Sequence, residues 1–188
     1  MNVYDFDGTI YSGDSTIDFY FFVLRRHPLL VRYAFLQAWG MLLYFCRLIS
    51  KTRCKEYFFT FLRSCEAGEE AVLFWQSHEY KIQNWYLSQK KPDDVIISAS
   101  PEFLLRPVCS ALGITLIASQ TDPASGLFTG TNCRGEEKVF RFEQTFGRQK
   151  IENFYSDSPA DLPLARRAQN AYLVNRGKTE RWKFNEPA

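Results

Sequence analysis

Histidine is almost missing from this chain of 188 residues: His27 and His78 are its only two. An imidazole-based zinc site is therefore not expected, and a Ser-His-Asp triad has few candidates. Cysteine is present but unpatterned. Cys46, Cys54, Cys65, Cys109 and Cys133 show no C-x-x-C spacing, and their odd number argues against a disulfide framework. They read as reduced, small apolar residues. The opening Met1-Asn2-Val3-Tyr4-Asp5 carries an acid at once, with no basic segment before an apolar one. No signal peptide is expected, and the expected compartment is the cytoplasm. Internal repeats and low-complexity segments are also lacking.

Aromatic residues, by contrast, are plentiful: 17 Phe, 10 Tyr and 4 Trp, each able to bury a large area. With 46% hydrophobic and 23% charged residues, wholesale disorder is excluded. The length suits one domain, or a small domain carrying an insertion. A net charge of +2 implies no partner by itself, and nucleic acid is not expected. The charge is unevenly spread. Between Phe19 and Arg63 stand eight basic residues (Arg25, Arg26, Arg32, Arg47, Lys51, Arg53, Lys55, Arg63) against Glu56 alone, a local charge of +7. Such a separation points to one part of the protein facing an anionic partner.

Asn2 to Phe6 reads as a short strand, followed by turn-rich residues through Asp14. Asp14 or Ser15 can cap a helix running to Arg26, where His27-Pro28 breaks it. Apolar residues at three- and four-residue intervals predict two or three more helices between Leu29 and Leu87. Beyond Ser88 to Asp94 the pattern changes. Val95-Ile96-Ile97 is an apolar run of the kind found in a buried parallel strand. Helix Ser100 to Gly113, strand Ile114 to Ala118 and a small hairpin over Gly126 to Cys133 follow. Next come helix Glu136 to Phe146, strand Ile151 to Tyr155, helix Pro159 to Gln169 and strand Ala171 to Val174. Alternating strands and helices predict an α/β fold with a Rossmann-like parallel sheet. Residues 1–14 and 88–188 form the expected core domain, and 15–87 an inserted helical cap.

Sheets of this class bind ligands at the carboxyl ends of their strands, and four chemically pointed groups fall there. Asp5 and Asp7 leave the first strand two residues apart, so one can attack while the other handles protons. Ser98-Ala99-Ser100 follows the second apolar strand, where hydroxyls and helix amides suit a phosphate. Lys138 lies near a helix start. Asp157 and Asp161 follow another strand. So many acids in one crevice call for a cation, and hard oxygen ligands favour Mg²⁺. Each group also has an ordinary structural reading. A lone D-x-D-G is often a turn, Ser98 or Asp157 can cap a helix, and Lys138 can be a solvated helix lysine. Their joint placement at strand ends favours the chemical reading.

The set Asp5-Phe6-Asp7-Gly8-Thr9-Ile10, Ser98, Lys138 and Asp157 with Asp161 resembles the four motifs of the haloacid dehalogenase-like superfamily. The insertion after the first motif resembles the helical cap of the phosphoserine phosphatase-like branch. Within that branch, Leu24-Arg25-Arg26-His27-Pro28, Leu116-Ile117-Ala118-Ser119-Gln120, Gly135-Glu136-Glu137-Lys138-Val139 and Tyr155-Ser156-Asp157-Ser158 are most similar to bacterial phosphatidylglycerophosphatase C-type proteins. The resemblance implies a nucleophile in Asp5 and an acid/base in Asp7. It implies phosphate contacts from Ser98, Ala99 and Lys138, and a substrate-lining acid in Asp14. It further implies Mg²⁺ held by Asp5, Asp7 through its backbone carbonyl, and Asp157, with Asp161 orienting the shell. The sequence departs from the family pattern at Ser156 and at Ala99-Ser100, where glycines are common.

The expected function is thus Mg²⁺-dependent hydrolysis of a phosphate monoester through an aspartyl-phosphate, with a phospholipid-type substrate as one reading. A soluble small-metabolite phosphatase and an inactive membrane-associated binding protein are the alternatives. Tyr33 to Cys46 is uncharged for 14 residues, too short to span a bilayer as a straight helix. It can lie in a membrane interface, placing the protein peripherally at an anionic inner face, or its aromatics can form the cap's own core.

Overall fold

A computed structural model describes residues 1–184. The chain runs β1 (Asn2–Tyr4), α1 (Ser15–Arg26), α2 (Ala34–Phe45), α3 (Lys51–Phe58), α4 (Ala67–His78), α5 (Asn84–Gln89) and β2 (Val95–Pro101). It continues α6 (Glu102–Leu112), β3 (Thr115–Ser119), α7 (Glu136–Phe146), β4 (Ile151–Ser156), α8 (Leu162–Ala165), β5 (Ala168–Asn175) and β6 (Lys178–Arg181). The six strands form one sheet in the order β3-β2-β1-β4-β5-β6, parallel except for the antiparallel β6. This is the strand order of a Rossmann-like doubly wound sheet, with β1 central and the chain switching sides between β3 and β4.

Successive side chains of a strand point to opposite faces, and the two faces feed two cores. Val3, Val95 and Ile97 pack with Phe142, Phe154 and Leu164 on one side. Tyr4 and Ile96 pack with Phe74, Trp75, Tyr86 and Leu104 on the other. Burying each such aromatic contributes about 1.5–3 kcal/mol before entropy is subtracted. Across the sheet, Tyr155 stacks between Tyr4 at 4.8 Å and Tyr172 at 4.9 Å, binding β1, β4 and β5 on one face.

Local chemistry sets the helix ends. The Asp14 side chain accepts from the Ile17 amide at the start of α1, and Ser50 accepts from Arg53 at the start of α3. Gly113 closes α6 in the left-handed region at φ 68°. The stretch after α1 holds more pieces than its periodicity predicts: four α-helices and three 3-10 turns at Pro28–Tyr33, Phe59–Ser64 and Glu79–Lys81.

Three other expectations are corrected. The expected helix from Pro159 to Gln169 ends at Ala165, because Ala168 and Asn170 pair with Ile151 and Asn153 of β4. The expected hairpin over Gly126 to Cys133 reduces to one bridge, Thr121 to Phe128; its loop is held by Asp122, which accepts from the Ala124 amide and the Ser125 hydroxyl. Strand β6 was not expected, since Lys178 to Arg181 is wholly polar and exposed. Its turn signal was present in Arg176-Gly177, both at positive φ as a tight hairpin requires.

Helix α2 buries only Gly40. A Cβ there would lie 2.3 Å from the Cβ of Tyr57, so α2 and α3 approach too closely for any side chain at that point. Most of the other apolar residues of α2 face outward: Phe35 is 76% exposed, Trp39 47% and Phe45 74%. The reading of these aromatics as cap core is not met. No helix among the described residues is long and apolar enough to cross a membrane.

Candidate active site

The register places the chemistry. Tyr4 pairs with Ile96 and with Tyr155, so the residues just beyond the ends of β1, β2 and β4 come side by side. Asp5 extends β1 by one bond, its amide donating to the Tyr155 carbonyl at 2.8 Å. The chain then folds back: the amides of Thr9, Ile10 and Tyr11 all donate to the Phe6 carbonyl. Gly8 sits at φ 70°, and a Cβ on it would stand 2.0 Å from Asp157 Oδ2. Only glycine allows that carboxylate so near the first loop. Thr9 completes the join by accepting from the Asp157 amide at 3.0 Å.

Lys138, in the first turn of α7, is fully buried and donates to Asp5 Oδ1 at 2.8 Å and Asp161 Oδ2 at 2.6 Å. Ser156, where glycine is common in the resembled family, donates to the same Asp161 oxygen at 2.8 Å. One cation thus bridges two carboxylates, and a hydroxyl fixes the outer one. Burial alone would lower the Lys138 ammonium, but Asp5 and Asp161 outweigh it and the net shift is upward. Burial pushes the Asp5 carboxyl up to about 7 against the pull of Lys138.

Asp7 is gripped separately. Its Oδ1 accepts from the Ser15 amide at 2.6 Å and its Oδ2 from the Ser100 hydroxyl. Burial, and then the nearby Asp14 charge, raise it to about 6, while the Ser100 and Ser15 donors act the other way. Ser98 is buried at the end of the straight part of β2 and accepts from the Ser100 amide at 3.1 Å. The Ala99 carbonyl accepts from Lys55 Nζ at 2.9 Å and Ser119 Oγ at 3.0 Å.

Asp5, Lys138 and Asp161 are therefore in direct contact, Asp157 lies against the Gly8 loop, and Ser98 is linked to Asp7 through Ser100. Asp14 is exposed, with its carboxylate spent on capping α1. Thr16 and Asn132, around these groups, were not singled out in the sequence; Ser15 was read only as a possible helix cap, and Ser100 only as a hydroxyl for phosphate. Lys55 was counted among the basic surface residues, yet it reaches inward to Ala99 and, at 3.2 Å, to Asn132. Nothing local marks Thr16, Asn132 or the inward reach of Lys55.

Among the described residues, no three His, Cys, Asp or Glu side chains meet closely enough to hold a metal by themselves. The donor set implied for Mg²⁺ needs only two, the Asp5 and Asp157 carboxylates, with the Asp7 backbone carbonyl as third ligand. All are hard oxygens, and burial shifts both carboxyls upward, a cost that a bound cation would offset. The residues fit the ion. Beside them opens a cavity of about 570 Å³ lined by Gly8, Ser12, Gly13, Gln83, Asp157 and Arg176, among others.

Comparison with known proteins agrees with this geometry. The family described as haloacid dehalogenase-like hydrolase matches residues 3–166. Protein CicA of Caulobacter vibrioides is 27% identical over 201 aligned positions, covering 93% of this chain and 86% of its own. Histidinol-phosphatase of Neisseria meningitidis serogroup C is 33% identical over 96 residues, covering 44% of this chain and 43% of its own. A crystal structure from Bordetella pertussis Tohama I superposes with a TM-score of 0.70 at 21% identity, covering 91% of this chain and 87% of that one. The family model spans most of the chain, over a parallel sheet whose strand ends gather these acids and lysine, and the chain belongs to the haloacid dehalogenase-like hydrolases.

Proposed function

We propose that the protein is a Mg²⁺-dependent phosphatase of phosphate monoesters, working through an aspartyl-phosphate. The observation that carries this reading is Lys138 held between Asp5 and Asp161 at the end of the central strand. Phosphoryl transfer requires alignment and neutralisation of charge spread over oxygen, and this arrangement supplies both. Asp5 attacks phosphorus, forming a carboxyl oxygen–phosphorus bond as the ester P–O bond breaks. Asp7 gives its proton to the departing oxygen, then takes one from the water that attacks the phospho-Asp5. Asp5 is regenerated and inorganic phosphate released. Ser98 and the Ala99 segment hold phosphoryl oxygens, Lys138 offsets their charge, and Asp14 lines the entrance. Mg²⁺, when bound by Asp5, Asp157 and the Asp7 carbonyl, supplies further neutralisation of the phosphoryl oxygens. The histidinol-phosphatase likeness supports the monoester reading.

The helical stretch 15–87 acts as the cap in this reading, and its α2 face favours an amphipathic, phospholipid-type substrate such as the phosphatidylglycerophosphatase C-type resemblance implies. Phe35, Trp39, Leu42 and Phe45 are exposed on α2, and Leu29 and Leu48 are exposed before and after it in the chain, more apolar surface than singly scattered residues account for. Arg47, Lys51 and Arg53 flank it, a composition suited to lying on an anionic leaflet. The protein then works as a peripheral protein at the cytoplasmic face. A soluble small-metabolite substrate is the competing reading. An inactive binding protein is disfavoured by the unbroken set of acids.

The test is a phosphate-release screen over phosphatidylglycerophosphate, a lysophospholipid phosphate and soluble monoesters, with and without Mg²⁺. Release from the lipid phosphates supports the amphipathic reading, and release from soluble esters alone defeats it. Absence of release from every ester would defeat the phosphatase reading itself.

A further inference from the structure

Ser100 is 6% exposed, and its two polar groups serve different masters. Its amide donates to Ser98 Oγ at 3.1 Å, which fixes its backbone at the turn after β2. Its hydroxyl donates to Asp7 Oδ2. A hydroxyl has one proton to give, and Ser100 gives it to Asp7, whose oxygens each keep a second lone pair on which a transferable proton can sit. The third partner, Thr16 Oγ1 at 3.0 Å, must therefore donate to Ser100 Oγ. The result is a directed line, Thr16 to Ser100 to Asp7, running from the first turn of α1 across 84 and 93 positions of chain. The other Asp7 oxygen is held from α1 as well, by the Ser15 amide at 2.6 Å. With both oxygens engaged from two segments, the carboxyl cannot rotate about its last bond.

We propose that Ser100, backed by Thr16, is a positioning residue for Asp7, fixing the carboxyl in the pose from which it passes its proton to the departing ester oxygen. The inference rests on the phosphatase reading above. In the step concerned, the Asp5 oxygen–phosphorus bond forms, the ester P–O bond breaks, and the Asp7 proton ends on the leaving oxygen, which departs as an alcohol. Removing the Ser100 hydroxyl frees Oδ2, and the carboxyl pivots on its single remaining bond to Ser15. An alkyl ester, whose leaving alkoxide needs that proton, is penalised. A p-nitrophenyl ester, whose phenolate leaves as a stable anion, is much less so.

The experiment compares kcat/KM of the full chain for glycerol 2-phosphate and p-nitrophenyl phosphate, in wild type, Ser100→Ala, Ser100→Thr and Thr16→Val. Ser100→Ala is expected to lose about tenfold more on the alkyl ester than on the nitrophenyl ester, within the range that general acid catalysis supplies. Thr16→Val is expected to show the same bias in weaker form, and Ser100→Thr, which keeps the hydroxyl, to remove it. Thr16→Val carries the test if Ser100→Ala does not fold. Equal losses on both esters would assign Ser100 to phosphate binding or to structure, and no loss would remove it from the reaction; either overturns the proposal. A wild type that cleaves the nitrophenyl ester, with Asp5→Asn inert, keeps the phosphatase reading standing whatever the Ser100 variants do. A wild type inert on both esters would overturn the proposal as stated for them, and only inertness on the lipid phosphates as well would overturn the phosphatase reading.

Discussion

Lys138 Nζ lies 2.8 Å from Asp5 Oδ1, although the two residues are 133 positions apart in the chain. The same nitrogen holds Asp161 at 2.6 Å, so the lysine keeps a partner when either acid is lost. Asp5→Asn is therefore expected to fold and melt close to wild type while losing at least about a thousandfold in turnover, because an amide is no nucleophile at phosphorus. Lys138→Met leaves two buried carboxylates unpaired and is expected to cost about 3–5 kcal/mol. Thermal melts beside phosphate-release assays separate the two. Activity above a small remnant in Asp5→Asn defeats the mechanism.

Asp157 is exposed and touches the loop at Gly8 through its carboxylate. Its removal creates no buried void, so Asp157→Ala is expected to keep its melting temperature. It is expected to lose Mg²⁺ affinity and activity together, with calorimetry reporting at least about tenfold weaker binding of the ion. Unchanged affinity would show that Asp157 is not a ligand.

Trp39 and Phe45 look outward from α2. Replacing both with Ala is expected to change stability by less than about 1 kcal/mol, as surface substitutions do. The same variant is expected to float poorly with anionic vesicles. Arg47→Gln, Lys51→Gln and Arg53→Gln together are expected to weaken flotation most at low salt, where surface attraction is least screened. Lys55 is left out of that set because it reaches the Ala99 carbonyl. A wild type that fails to float at low salt sinks the membrane reading.

Gly40→Ala tests the α2–α3 contact directly. The added methyl would stand 2.3 Å from Tyr57 Cβ, and neither helix can yield without losing the Gln37 bond to the Phe58 carbonyl. A loss of about 1–3 kcal/mol by denaturant melting is expected, typical of overpacking.

Glu70 is buried and bonded to Arg26 at 2.8 Å and His27 at 2.9 Å. Burial raises its carboxyl, but the His27 and Arg26 bonds outweigh that and hold it below 4.5. A carboxyl so held stabilises the fold fully above 4.5 and gives that stability up as pH falls through the lower folded value. Glu70→Gln is expected to cost about 2 kcal/mol near neutral pH and less below pH 4. Equal cost at both pH values would contradict the ion pair.

The sheet was legible because its strands declare themselves: Val95-Ile96-Ile97 is apolar on both faces, as a strand covered on both sides must be. The acids were legible because Asp5, Asp7, Asp157 and Asp161 follow strands, and strand ends converge in a parallel sheet. What was hidden depends on packing between distant segments. Lys55 sits among surface lysines and arginines in sequence, and only the fold turns it inward. Trp39 looked equally suited to a core or to a surface, since α2 is apolar nearly all round. Strand β6 has no apolar residue to announce it; backbone pairing with Tyr172 to Asn175 alone makes it a strand.

The central place of β1 has a kinetic consequence. Its neighbours both come later in the chain: β2 meets it at Val3–Val95, and β4 at Asn2–Asn153. Closing loops of that length costs conformational entropy before any pairing repays it, so sheets of this topology fold slowly. The backbone bonds of helices α1 to α4 are local, so these helices are expected to form earlier. Asp5, early in the sequence, gains its fixed position only when β4 docks and brings Tyr155 to its amide. Until then β1 is a short strand with its β4 edge unpaired, open to the wrong neighbour. Refolding yield should therefore fall with protein concentration, and the Asp5 amide should be among the last in the sheet to become protected from hydrogen exchange.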